Sequence, residues 1–313
     1  MKMISKNEIA KLKGEGFLAQ KQEGYFSVRI LSRAGNFTSK QIIKLAEIAD
    51  NYGKGYLGVT TRLATEIPWI KYEDIEAVKK EIVSSGMGHG GTGKKVRPLV
   101  SCKGTVCVHG LYDTQKLCGE LHDKYFGYEL PSKFKITLVG CPNNCAKASI
   151  NDIGIMGQAY VEFNEEKCKA CGICTKSCRQ KAVTVENNKI VYKKDLCVNC
   201  GKCATVCPFE AMTIKEQGLQ VYLGGRFGRE YRIGNRLKGL YKEEEIPALV
   251  QKIFDVYSEM GNPGERLAKM IERVGLIRWK KQYYNKNKQG NIIYSEPLLI
   301  SVLYETSVPL SQD

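Results

Sequence analysis

No stretch of this chain approaches the roughly 20 consecutive apolar residues that a membrane span needs. Its hydrophobic residues, 43% of the total, come in short interrupted runs. The first residues, Met1-Lys-Met-Ile-Ser-Lys-Asn-Glu8, lack the apolar core of a secretory signal. No Gly-x-Gly-x-x-Gly follows a predicted strand, so there is no flavin or nicotinamide fingerprint; Gly86-Met-Gly-His-Gly-Gly-Thr-Gly93 is only a loose echo of one. These absences leave the expectation of a cytoplasmic protein that spans no membrane and carries no flavin or nicotinamide site of its own. What the chain has in excess is cysteine, thirteen in 313 residues. An odd number, several of them spaced Cys-x-x-Cys, argues against a disulfide framework and for thiolates kept reduced. The formal charge of +15 would ordinarily suggest nucleic acid. Here the basic residues are spread along the chain, and cluster-bound thiolates offset them, so no nucleic-acid partner is expected.

The length suits two or three compact units. Tyr25 to Ser32 reads as a strand. A helix follows, capped at Thr38 or Ser39, with apolar spacing through Ile42, Ile43, Leu45, Ile48 and Ala49. Further strands are predicted over 56–62, 96–101 and 134–140, and helices over 73–85, 111–125, 243–260 and after Pro263-Gly264. Residues 285–313 carry little signal. Between 161 and 216 the chain changes character and repeats itself: Cys168-Lys-Ala-Cys-Gly-Ile-Cys-Thr-Lys-Ser-Cys178, then Cys197-Val-Asn-Cys-Gly-Lys-Cys-Ala-Thr-Val-Cys207-Pro208.

Each half has the spacing C-x2-C-x2-C-x3-C. Three thiolates two residues apart wrap one face of a [4Fe–4S] cube, and the fourth ligand comes from the other half. That pattern groups Cys168, Cys171, Cys174 and Cys207 on one cluster, and Cys178, Cys197, Cys200 and Cys203 on the other. Two zinc sites are the bland alternative, which two full runs with crossover spacing disfavour. Arg179 stands where the first half would have proline; that touches no ligand. A third set, Cys102-Lys-Gly-Thr-Val-Cys107 with Cys141-Pro-Asn-Asn-Cys145, allows a third four-thiolate site, either a cluster or structural zinc.

Three phrases carry a resemblance: Val139-Gly-Cys-Pro-Asn-Asn-Cys-Ala146, Asn151-Asp-Ile-Gly-Ile-Met-Gly157 and Leu130-Pro-Ser-Lys-Phe-Lys135. Over about residues 20–240 the chain resembles the sirohaem-dependent sulfite and nitrite reductases, and within them the anaerobic sulfite reductase type. The resemblance implies an α+β fold: a sulfite/nitrite reductase module with an inserted bacterial-type 2[4Fe–4S] ferredoxin domain. The module comprises a ferredoxin-like half-domain (1–70) and a haem- and cluster-binding α/β domain (71–160 and 217–313); the insert is 161–216. It makes Cys102, Cys107, Cys141 and Cys145 the ligands of a [4Fe–4S] cluster coupled to sirohaem, with Cys145 also the axial ligand of the haem iron. The first pair is one residue closer than the family's usual spacing, a difference a glycine-containing loop can absorb.

A haem that reduces a small oxyanion needs cations on its open face. The family pattern places them at Arg62, Arg97, Lys133 and Lys135. Residues two apart in a strand share a face, which puts the two lysines together independently of any resemblance. Sirohaem carboxylates need partners of their own; candidates are Lys94, Lys95, Asn143, Asn144, Lys147, Arg226 and Arg229, with backbone N–H groups at Gly90, Gly91 and Gly93. Cys118 reads as a packed free thiol, and His89, His109 and His122 as ordinary histidines.

The implied activity is sulfite reduction to sulfide, with sirohaem and three [4Fe–4S] clusters as cofactors. Nitrite as substrate, or a non-catalytic electron carrier, are the alternatives. The implied partners are electron-donor subunits with iron–sulfur and flavin or NADH sites. Larger members of the family pair two copies of the module, one copy's cations facing the haem of the other. A single copy here suggests a homodimer sharing its site in trans, against a site complete in one protomer.

Overall fold

The computed structural model describes residues 4–275; the predicted tail, 285–313, and the end of the expected 217–313 segment lie outside these. The N-terminal unit has the order α1 (Lys6–Gly14), β1 (Phe17–Ala19), β2 (Tyr25–Leu31), α2 (Ser39–Tyr52), β3 (Gly58–Val59), β4 (Thr65–Lys71), α3 (Ile75–Ser84) and β5 (Gly88–His89). Its sheet runs β1-β2-β4-β3, with β5 beside β2, all antiparallel. Alternation along β2 buries Phe26, Val28 and Ile30. Thr38 and Gln41 cap α2 reciprocally: the Thr38 hydroxyl accepts from Gln41 N–H at 3.2 Å, and the Gln41 amide oxygen accepts from Thr38 N–H at 2.9 Å. The buried stripe of α2 is Leu45, Ile48 and Ala49; Ile42 and Ile43, expected on it, are exposed. Ile75, Val78, Ile82 and Met87 belong to the same core. The N-terminal unit therefore continues past the expected boundary at 70, because Ile75, Val78 and Ile82 of α3 pack into its core.

The second unit has β6 (Val100–Ser101), α4 (Thr114–Tyr125), β7 (Ile136–Val139) and β8 (Ile153–Phe163). After an insert it resumes with β11 (Met212–Leu223), β12 (Asn235–Arg236), α7 (Ile246–Met260) and α8 (Leu267–Val274). Its sheet order is β12-β11-β8-β7-β6, with β6, β7 and β8 parallel and β11 and β12 antiparallel. Phe134, Ile136 and Leu138 join α4 and α7 in the main core. There Phe254 packs edge-on against Tyr125 and Phe134, with ring centroids 5.3 and 5.1 Å away. The other face of β7 and β8, at Val139 and Met156, is covered by Ala148 of the crossover that carries Cys141 and Cys145.

The insert folds as α5 (Ile173–Ser177), β9 (Val183–Glu186), β10 (Lys189–Tyr192) and α6 (Lys202–Thr205). Its buried core is Cys174, Val183, Ile190 and Met212, with further cysteines packed around them. Four side chains are too few to hold so small a unit by apolar burial alone, the situation in which a covalent or metal staple is needed. Among the described residues no helix is long and apolar enough to cross a membrane.

Candidate active site

Cys102 follows β6 and Cys141 follows β7, so two adjacent parallel strands deliver the two cysteine pairs to one end of the sheet. The Cys102 N–H donates to the Leu138 carbonyl at 3.0 Å, and the Gly140 N–H to the Cys102 sulfur at 3.1 Å. Glycine makes the approach possible: a Cβ on Gly110 would stand 1.9 Å from the Gly104 carbonyl oxygen, and one on Gly140 would stand 2.9 Å from the Gly104 Cα. The short 102–107 loop is accommodated by this backbone-to-backbone contact. Burial raises the Cys141 thiol, and the nearby Cys102, Cys145 and Cys107 sulfurs add to the effect. Cys107 and Cys145 are exposed and Cys141 is buried.

In the insert the two halves cross over. Cys168, Cys171, Cys174 and Cys207 line one cavity with Phe163, Ile173, Pro208 and Phe209. Burial raises Cys203 to about 12, with Cys197, Cys200 and Cys178 as its charged neighbours. Each half therefore lends its last cysteine to the other's loop. Gly172 and Gly201, at φ 75° and 69°, turn the chain between the second and third thiols of each. Among the described residues no three such side chains close in on a single-ion geometry.

The four predicted cations converge. Arg62, Arg97, Lys133 and Lys135 line a cavity of about 260 Å³, together with Arg29, Thr60, Thr61, Gly91 and Pro98. The strand expected over 56–62 stops at Val59. Leu63 takes φ 58° and its N–H donates to the Thr60 carbonyl at 3.0 Å, and this turn carries Arg62. Arg62 donates to the Asn151 side chain at 3.2 Å and the Pro98 carbonyl at 2.8 Å; burial lowers it to about 10, still a cation at neutral pH. Arg97 donates to the Gly91 carbonyl. The Nε of each arginine is buried without a hydrogen-bond partner. Four cations around one cavity repel one another and are suited to hold a small anion between them.

A family model described as "Nitrite and sulphite reductase 4Fe-4S domain" matches residues 92–289, and one described as "Nitrite/Sulfite reductase ferredoxin-like half domain" matches 18–85. The chain belongs to the nitrite and sulphite reductase family. It is 37% identical over 264 residues to the coenzyme F420-dependent sulfite reductase of Methanocaldococcus jannaschii, covering 83% of this chain but 42% of that protein. It is 32% identical over 310 residues to one subunit of the anaerobic sulfite reductase of Salmonella typhimurium, covering 90% of this chain and 88% of that one. The fold matches the crystal structure of dissimilatory sulfite reductase I, with TM-score 0.68, 21% identity, and 92% and 76% of the two chains covered.

Within this reductase fold the weaker candidates fare unevenly. The Asn144 side chain is spent inside its own loop, accepting from Ala148 N–H at 2.7 Å and donating to Ser149 at 3.0 Å. Arg226 is ion-paired with Glu230 at 2.7 Å and Glu272 at 3.6 Å. Asn143, Lys147 and Arg229 are exposed, as is Lys94, while Lys95 pairs through its backbone with Glu129. In the glycine loop the Gly90 N–H, expected to face an anion, donates to the Arg29 carbonyl at 3.1 Å, and Gly91 offers its carbonyl to Arg97. Cys118 is buried, His89 contacts the Glu15 carbonyl at 2.6 Å, and His122 stacks on Phe126.

Sequence reasoning missed Arg29, which lines the cavity while paired with Glu66 at 2.6 Å. It also missed the Asp152–Arg266 pair, in which a fully buried carboxylate meets the guanidinium at 2.7 Å and accepts the Lys135 backbone N–H at 2.9 Å. The Asn151-Asp152 phrase stands out in the sequence, but its partner lies 114 residues away on another element.

The cation cavity and the cysteine quartet lie toward opposite ends of β7. Lys135 precedes the strand and Cys141 follows Gly140, a separation of roughly 20 Å at about 3.3 Å per residue.

Proposed function

We propose that this chain is the catalytic subunit of a sulfite reductase that reduces sulfite to sulfide at a sirohaem, fed through three [4Fe–4S] clusters. The observation that carries the reading is the cavity lined by Arg62, Arg97, Lys133 and Lys135, in a chain whose relatives at 37% and 32% identity are named sulfite reductases. The donor set fits the groups. Cys168, Cys171, Cys174 and Cys207 line one cavity and would hold one cluster, Cys178, Cys197, Cys200 and Cys203 a second, and Cys102, Cys107, Cys141 and Cys145 a third, with Cys145 exposed and able to meet a haem iron. Asn143, Lys147 and Arg229, exposed and outside the ion-pair network of Arg226, would meet its carboxylates. Sirohaem, when bound, supplies the electrons to the sulfur of the substrate. Arg62, Arg97, Lys133 and Lys135 bind the anion, neutralise charge as oxygens depart, and the lysines donate protons.

A cation cavity and a quartet about a strand-length apart (roughly 20 Å) favour the arrangement in which the cations of one copy serve the haem held by a second. Electron-donor subunits complete the assembly. Iron analysis and the visible spectrum test the cofactor content: about thirteen irons per chain are expected, three cubes and one haem. About eight irons without sirohaem bands would leave an electron carrier only, and a steady-state comparison of sulfite with nitrite fixes the substrate.

Lys135 supplies a pH prediction. Burial lowers its ammonium to about 8, with the neighbouring Arg62 and Arg266 adding to the shift. It is charged below that value and loses its proton as pH rises through it. The kcat/KM for sulfite, which reports the free enzyme, should fall above pH about 8. Lys135→Arg, whose guanidinium stays charged, should lose that limb; an identical profile in the variant would remove Lys135 from the site.

A further inference from the structure

The two halves of the insert have equivalent cysteine spacing but unequal surroundings, and β8 acts as a ruler between them. At Met156 this strand pairs with Val139 of β7, and a Cβ on Gly157 would stand 2.4 Å from the Gly140 oxygen, next to Cys141. At Ala159 the strand's N–H donates to the Asn199 carbonyl at 2.8 Å and the residue bridges to Cys200; a Cβ on Gly201 would stand 2.9 Å from the Ala159 Cβ. At its end, Phe163 lines the cavity of Cys168, Cys171, Cys174 and Cys207. Three sets of cysteines therefore sit in order along one strand, the steps being roughly 10 Å and 13 Å at about 3.3 Å per residue. The Cys197–Cys203 loop is tied to the sheet beside the active-site quartet. In the other loop Ala170, the residue equivalent to Asn199, keeps the same local turn, N–H to Cys168 sulfur at 3.4 Å as Asn199 does to Cys197, but lies at the far end.

Charge follows the same polarity. Aligning the repeat on its cysteines sets Lys167, Lys169 and Lys176 of the far loop against Leu196, Val198 and Thr205 of the near one. All three lysines are exposed, and the insert's ion pairs use others, Lys189 with Glu165 and Lys193 with Glu186. Between them Ile173 and Phe209, 42% and 43% exposed, form the apolar rim of the far cavity.

We propose that the far quartet is the receiving end of the relay and docks a one-electron donor protein with an acidic face, the near quartet passing electrons on to the Cys141 side. This rests on the cluster reading above. Each encounter moves one electron from the reduced donor to the far cluster; the donor is oxidised, the cluster reduced, and no bond changes. Such contacts are small and steered by charge, so they are fast at low salt and slow at high.

The test uses the full, iron-loaded protein and a reduced acidic bacterial-type ferredoxin as probe. With Lys167→Glu, Lys169→Glu and Lys176→Glu combined, the second-order rate of cluster reduction at low salt should fall at least tenfold, while the remote set Lys6→Glu, Lys40→Glu and Lys80→Glu should stay within twofold of wild type. Carbodiimide, which joins ferredoxin carboxylates to lysines, should link Lys167, Lys169 or Lys176. A patch variant within twofold of wild type, equal slowing by the remote set, or links concentrated on Lys202 of the near loop would overturn the proposal. An insert found to bind no iron would instead overturn the cluster reading, and this proposal with it.

Discussion

Arg62→Ala should lower sulfite turnover about 10²–10³-fold, the loss that follows removal of one preorganised donor from an anion site, with iron content and visible spectrum unchanged. The size of the effect follows from the setting. Arg62 is half-buried, and burial lowers its guanidinium to about 10, so its charge acts on a nearby anion with reduced screening. It stands with Arg97, Lys133 and Lys135 around one cavity, where a small anion would meet all four charges. Arg62 also ties Asn151 and Pro98 together, so a structural loss has to be separated from a chemical one. Lys in its place keeps the charge but not the fork; a variant that recovers KM and not kcat shows that geometry, not charge alone, does the work. Mixing Arg62→Ala chains with Cys145→Ser chains then tests sharing in trans. Each homodimer is inactive, whereas random pairing makes half of the dimers mixed, with one whole site in each, and about a quarter of wild-type activity returns. No recovery in a verified mixed dimer means each protomer builds its own site.

Much of this was legible in the sequence because the chemistry is encoded in short spacings. Cysteines two residues apart can only form a tight loop, and the structure folds both runs that way. The lysine pair was legible because residues 133 and 135 flank one position of extended chain. Other features depend on contacts that no local pattern records. Arg29 looks like any outward residue of β2 until the turn at Leu63 brings Arg62 beside it. The glycine loop looked like an anion cradle, but its amide at Gly90 faces β2 and its carbonyl at Gly91 faces Arg97. Composition cannot tell which end of a peptide group points into a cavity. Arg226 matched a cofactor role by position, but Glu272 on α8 takes it.

The same distance hides the residue whose loss should cost most stability. Asp152 has no exposed side-chain surface, and its two oxygens take Arg266 at 2.9 and 2.7 Å and the Lys135 N–H at 2.9 Å. Removing one member of a buried ion pair strands the other, at about 3–5 kcal/mol. Arg266→Met should therefore destabilise the second unit by that amount, read as a fall in its thermal midpoint. Asp152→Asn with Arg266→Met should cost much less than the two singles summed, because neither charge is then left alone. The pair also holds the backbone from which Lys135 projects, so Arg266→Met should speed amide exchange at Lys135 and raise the sulfite KM before the fold is lost. A variant that lowered the midpoint and left both unchanged would make the pair a staple only. If both move together, a carboxylate that never touches the anion sets where one of its ligands stands.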